Sequence, residues 1–152
     1  MKVLVTGANG FIGNALAQRL LQLGGLGDGH PPITRLTLLS RKFLRPPQDA
    51  RIELVKGDIV ESGTIERAVA GGVDCVFHIA AIPTGDAERD FDAGRRINLE
   101  ATYSLFEILR AQPKPPLACS SALANEAPPD AETRMTGSGP LTGGGPFSPI
   151  PR

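Results

Sequence analysis

The sequence predicts an α/β domain built on an open, doubly wound parallel sheet of about five strands. Apolar runs that read as strands alternate with amphipathic runs that read as helices along most of the chain. The first such pair is joined by Thr6-Gly7-Ala8-Asn9-Gly10-Phe11-Ile12-Gly13, a glycine-rich turn from strand to helix. Near the middle, residues 73–80 (VDCVFHIA) are almost uninterruptedly apolar, as expected for a strand covered on both faces of a parallel sheet.

Taken in order, residues 2–5 are the expected first strand and residues 11–23 the first helix, with Leu16, Leu20, Leu21 and Leu23 as its apolar side and Gly24-Gly25 as its end. Residues 26–35 hold Gly27, Gly29, Pro31 and Pro32 and read as a loop, longer than the usual helix-to-strand connection. Residues 36–39 form the second strand, with its tip at Ser40-Arg41. Pro46-Pro47 breaks the chain before a third strand, residues 52–55, which ends in Gly57-Asp58-Ile59. A helix carrying Ile65, Ala68 and Val69 follows, with Ser62 as its expected cap, Glu66 near its start and Gly71-Gly72 closing it. After the apolar fourth strand, residues 87–112 place Phe91, Ile97, Ala101, Leu105, Ile108 and Leu109 at helical spacing, enough for one long helix. Pro113, Pro115 and Pro116 end it, and residues 117–121 are the fifth strand. Residues 1–124 thus form one domain, and residues 125–152 an irregular tail, since eleven of residues 127–152 are Pro or Gly.

The glycine turn is where chemistry is expected. Glycines at positions 7, 10 and 13 allow a tight turn, a close approach of backbone to a pyrophosphate, and tight packing of helix on strand. The helix start then offers unpaired N–H groups and the positive end of its dipole to phosphates. The spacing is G-x-x-G-x-x-G, and its bland alternative is a tight turn with no ligand. An acid at the tip of the second strand would bond the adenosine ribose and select NAD, whereas an arginine accepts the extra phosphate of NADP. Here Ser40 and Arg41 lean toward NADP, against the alternative of an ordinary solvated arginine.

Sixteen basic and sixteen acidic residues balance and form no long block, which argues against nucleic acid or an anionic membrane as partner. No apolar run approaches a membrane span, and Thr6-Gly7 interrupts any signal-peptide core, so the expectation is a soluble cytoplasmic protein. Cys75 and Cys119 read as small buried hydrophobes rather than a disulfide pair, and His30 and His78 have no ligands at metal spacing. His78 reads as a packed core histidine without a chemical role.

TGANGFIG resembles the nucleotide loop of the extended short-chain dehydrogenase/reductase superfamily, the group of NAD-dependent sugar-nucleotide epimerases and dehydratases. The resemblance covers residues 1–124 and implies a Rossmann-like fold holding NAD or NADP across the carboxyl ends of the strands. It implies that Thr6, Gly7, Gly10, Phe11, Ile12 and Gly13 surround the pyrophosphate, and that Asp58 and Ile59 contact the adenine. His78-Ile79-Ala80-Ala81 is similar to the stretch where small residues, here Ala80 and Ala81, let the backbone approach the cofactor. Asn98-Leu99-Glu100-Ala101-Thr102 matches an N-x-x-[GA]-T stretch and makes Asn98 an active-site support. Ser121, with Ser120 close behind, matches the catalytic hydroxyl. The run VFHIAAIPTGDAERDFDAGRRINLEAT resembles the D-erythronate dehydrogenase family, which implies oxidation at C2 of a sugar acid and a homodimer. That chemistry uses Tyr-x-x-x-Lys, whereas the one tyrosine here, Tyr103, is followed four residues on by Glu107. The expectation is a chain truncated, or changed in reading frame, before the catalytic helix.

Overall fold

A computed structural model describes residues 1–27 and 29–120 of the chain. Five strands, β1 (Lys2–Thr6), β2 (Arg35–Ser40), β3 (Ile52–Lys56), β4 (Cys75–His78) and β5 (Leu117–Ser120), pair in parallel in the order β3-β2-β1-β4-β5. The chain winds outward from β1 through β2 and β3, then crosses back to β4 and β5. The winding direction therefore reverses between β1 and β4, which opens a crevice beyond their carboxyl ends.

Alternation along the strands fills two cores. Val3, Val5, Leu36, Leu38 and Cys75 pack with Ala17 and Leu20 of α1 (Phe11–Leu23). On the other face, Leu4, Leu39, Val55 and Val76 meet α2 (Thr64–Val69), which contributes Ile65 and Ala68, together with Leu105 and Leu109 of a later helix. Because β1 is central, Val3, Leu4, Val5 and Thr6 are all buried. The first helix begins and ends where the sequence places it, and Gly24 closes it in the left-handed conformation, its N–H donating to Leu20 O.

Other expectations are corrected. Ser62 does not cap α2: Gly63, at φ 78°, occupies the N-cap position one residue later, and having no side chain it provides no cap. The fourth strand is shorter than the apolar run, because the N–H groups of Ile79 and Ala80 donate to the Thr6 hydroxyl instead of to a strand. The single helix expected over 87–112 is divided into α3 (Thr84–Arg89), α4 (Phe91–Gly94), a π-helical stretch (Arg95–Glu100) and α5 (Ala101–Arg110). Asp90 makes the break, leaving helical geometry and accepting a bond from Ala93 N at 3.0 Å. A capping aspartate inside an apolar repeat competes with helix continuation, and periodicity does not register it. Cys75 is buried, but Cys119 is exposed, because among the described residues β5 pairs with β4 alone and stands at the end of the sheet. Ser121 and residues 125–152 lie outside the described residues. Among the described residues, no helix is long and apolar enough to cross a membrane.

Candidate functional site

The turn from β1 into α1 is set by its glycines. Gly7 has φ +67°, and a Cβ there would stand 2.8 Å from the Ala80 backbone nitrogen. A Cβ on Gly13 would stand 2.3 Å from the Gly7 carbonyl oxygen. Both contacts are to backbone, so neither position admits a side chain without moving the chain. Gly10 donates to Gly7 O at 2.9 Å and is the N-cap of α1, where it offers no capping oxygen. The first turn of α1 also has no acidic residue. A 13-residue helix thus presents its positive end with nothing of its own to answer it, the arrangement suited to a phosphate.

In front of this turn lies a cleft of about 520 Å³ at the carboxyl ends of the strands. Gly7, Gly10, Phe11, Ile12 and Gly13 form one wall; Ser40 and Arg41 come from the tip of β2, Asp58 and Ile59 from the end of β3, and Ala80 and Ala81 from the segment after β4. Phe11 is 94 % exposed and Ile12 is exposed as well, an unusual place for large apolar side chains unless a ligand covers them. Asp58 Oδ1 accepts from Val60 N at 3.3 Å, so its carboxylate helps close its own turn.

Three of the described residues singled out in the sequence, Thr6, Asn98 and Ser120, lie outside this lining. Thr6 is fully buried behind the cleft, and its Oγ1 accepts from Ile79 N and Ala80 N, both at 3.1 Å. It also meets His78 Nδ1 at 2.7 Å, while His78 Nε2 meets Thr102 Oγ1 at 2.9 Å. Burial pushes the His78 pKa down to about 4, so the imidazole is neutral and joins β1 to α5 by hydrogen bonds. Asn98 sits in the π-helical stretch, where Oδ1 accepts from Ile82 N at 2.8 Å and Nδ2 donates to Ile82 O at 3.0 Å. This double bond pins the segment after β4 beside the cleft, and Ile82 and Ile97 both line it. Insertions of a π-turn recur at functional sites because they re-aim one residue out of helical register. Asn98 here orients backbone.

Sequence reasoning missed Asn9, Lys42, Ile82 and Ile97 as lining residues. Asn9 and Lys42 are immediate neighbours of motif positions, and that adjacency was the available signal. Among the described residues, no group of three or more His, Cys, Asp or Glu stands ready to hold a metal.

Residues 3–149 match the NAD dependent epimerase/dehydratase family. The chain belongs to that family. D-erythronate dehydrogenase of Cupriavidus necator is 45% identical over 112 residues, covering 72% of this chain and 35% of the relative. The crystal structure of a nucleoside-diphosphate-sugar epimerase from Agrobacterium tumefaciens is similar at 37% identity and TM-score 0.65, over 72% of this chain and 32% of that one. MoeE5, in complex with UDP-glucuronic acid and NAD, is similar at 29% identity and TM-score 0.56, over 70% of this chain and 32% of that one. The chain spans about a third of the length of these relatives. Membership of the epimerase/dehydratase family and the likeness of these structures agree with the doubly wound, Rossmann-like sheet expected from the sequence.

Proposed function

We propose that these residues bind a nicotinamide dinucleotide, NAD or NADP, for an oxidoreductase or epimerase-family reaction on a sugar or sugar acid, as in D-erythronate dehydrogenase. The observation that carries the reading is the cradle at Gly7 and Gly13, which any Cβ would fill, facing an uncapped helix start. Gly7, Gly10, Phe11, Ile12 and Gly13 would hold the pyrophosphate through backbone N–H groups. Asp58 and Ile59 would meet the adenine, and Ala80 and Ala81 would lie along the nicotinamide half. Once bound, such a cofactor exchanges hydride with a substrate carbon. Asn98 serves that chemistry as a support for the segment at Ile82, and Ser121, outside the described residues, is the proposed catalytic hydroxyl. The same reading includes a cytoplasmic setting and a homodimer across the π-helical stretch and α5, where Leu99 and Tyr103 respectively are exposed among the described residues.

The proton acceptor is a different matter. Tyr103 is the one tyrosine, Glu107 stands four residues on, and no Tyr-x-x-x-Lys occurs in the sequence. A positioned acid or base contributes roughly 10²–10⁴-fold to rate. This favours a second reading, a non-catalytic NAD(P)-binding module or a fragment without function of its own. Unfolding of the 152-residue chain, followed by circular dichroism with and without each dinucleotide, tests binding. Native-state binding raises stability by RT ln(1 + [L]/Kd), about 2.7 kcal/mol at a hundredfold excess over Kd. The expected result is such a rise together with no turnover of D-erythronate; a transition indifferent to both dinucleotides sinks the proposal.

A further inference from the structure

We infer that the Asn9 side-chain amide is a binding group for the dinucleotide, donating through Nδ2 to a phosphate oxygen, at a position that the spacing of the three glycines leaves open. The inference rests on the dinucleotide binding proposed above, and the contact it names is the same whichever nicotinamide cofactor is bound. An asparagine amide has an acceptor end and a donor end, and what it meets decides which way round it stands. Leu44 N–H reaches the Asn9 amide at 3.1 Å, and a backbone N–H can only donate, so the atom facing it is Oδ1. The donor end, Nδ2, is thereby turned away from Leu44. It bonds no described residue, and half-buried Asn9 lines the cleft beside Gly7 and Gly10. The segment that sets this orientation is itself held: Ser40 O accepts from Gly57 N at 3.1 Å, and Phe43 packs against the core beside α1.

The loop around Asn9 has a use for such a donor. Ala8 N donates to Leu39 O at 3.2 Å and Gly10 N to Gly7 O at 2.9 Å, which commits both backbone groups inside the protein. The donors left for an anion begin past Gly10, at the start of α1, and Nδ2 adds one on the other side of that glycine. A hydrogen bond to an ionised phosphate oxygen is roughly twice as strong as one between neutral groups. The amide is also ordered before any ligand arrives, because Leu44 already holds Oδ1, so binding freezes no further rotamer. The bland alternative is a tether, in which Asn9 only ties the glycine loop to the segment after β2. The two roles use opposite ends of the amide. Aspartate keeps the acceptor for Leu44 and replaces the donor by an oxygen with negative charge, whereas alanine removes both ends.

Calorimetric titration of the full chain, of Asn9→Ala and of Asn9→Asp with NAD⁺ and with NADP⁺ separates the roles. The expected result is a dissociation constant raised about tenfold in Asn9→Ala and further in Asn9→Asp, by the same factors for both dinucleotides. Urea unfolding without ligand reads the tether by itself, and there Asn9→Asp should stay closer to the unaltered chain than Asn9→Ala does. If Asn9→Ala does not fold, Asn9→Asp still decides, since it keeps the acceptor for Leu44. Binding by Asn9→Asp within threefold of the unaltered chain, or tighter than by Asn9→Ala, overturns the inference and leaves Asn9 a tether in an intact dinucleotide site. A loss confined to one dinucleotide overturns it too, because the pyrophosphate is common to both. Binding of neither dinucleotide by the unaltered chain overturns this inference and the proposed function together.

Discussion

His78 is 1 % exposed between two threonine hydroxyls, and the bonds around it fix its protonation. Thr6 Oγ1 already accepts the N–H groups of Ile79 and Ala80, so its own proton goes to His78 Nδ1. The ring is then the neutral tautomer with hydrogen on Nε2, which donates to Thr102 Oγ1. A protonated ring would have to donate from Nδ1 to an oxygen with no lone pair left. The unfolded chain therefore takes up a proton near the ordinary value of 6.5, whereas the folded one resists until about 4. With more protons on the unfolded state between those values, stability is full above the window and falls as pH drops through it, by on the order of 3 kcal/mol in all. Urea unfolding at pH 7 and pH 4.5 should show this loss in the unaltered chain and a much smaller one in His78→Gln. An equal loss in both would assign the acid sensitivity to carboxylates instead. The sequence shows a histidine inside an apolar strand and hence a core role. Its partners are 72 and 24 residues away, so no local pattern reveals the bonds that neutralise it.

At the scale of elements, the glycines of the first turn separate by what surrounds them. Gly13→Ala drives a Cβ against the Gly7 carbonyl, which is backbone and cannot swing aside, at a cost of about 1–3 kcal/mol or more. Gly7→Ala meets Ala80 backbone and adds the left-handed penalty of about 1–2 kcal/mol. Gly24 shares the left-handed geometry, at φ +69°, but a Cβ there meets nothing within 4 Å. Chemical denaturation should rank Gly24→Ala mildest, and only the Gly7 and Gly13 variants should lose the stabilisation by dinucleotide. The α1 bounds were legible because a glycine turn, an apolar stripe and a terminal glycine all agree on them. The helix after β4 was legible only as a face. Its apolar residues keep helical spacing across the break at Asp90 and through the π-helical stretch, and both irregularities depend on hydrogen bonds that composition does not encode. The Asn98 clamp on Ile82 belongs to the same class: the residue was marked by its motif, but its task follows from the π-helical stretch that aims it.

Across the whole molecule, the order of strands follows from alternation and from the reversal at β1, and so does the position of the cleft. What the sequence leaves open is coverage: Cys119 and Leu117 have the composition of a buried strand, yet among the described residues β5 pairs on one side and both are exposed. The cleft gathers the glycine turn, the tips of β2 and β3 and the segment after β4; the core beneath α5 shares Leu39 and Ile59 with its lining, while Leu105 itself lies outside it. Leu105 is fully buried, and Leu105→Ala should cost about 2–5 kcal/mol through lost burial and the cavity left behind. If the sheet and both cores unfold together, a ligand that spans these segments stabilises all of them, and its increment depends only on its concentration and Kd. Saturating dinucleotide should therefore raise the unfolding free energy of Leu105→Ala by the same amount as that of the unaltered chain, about 2.7 kcal/mol at a hundredfold excess over Kd. A smaller increment in Leu105→Ala would mean that the α5 side unfolds apart from the cleft, or that the packing of α5 shapes the site through the Thr102–His78–Thr6 bonds. His78→Gln separates those two outcomes, since it cuts the bonds and leaves Leu105 in place.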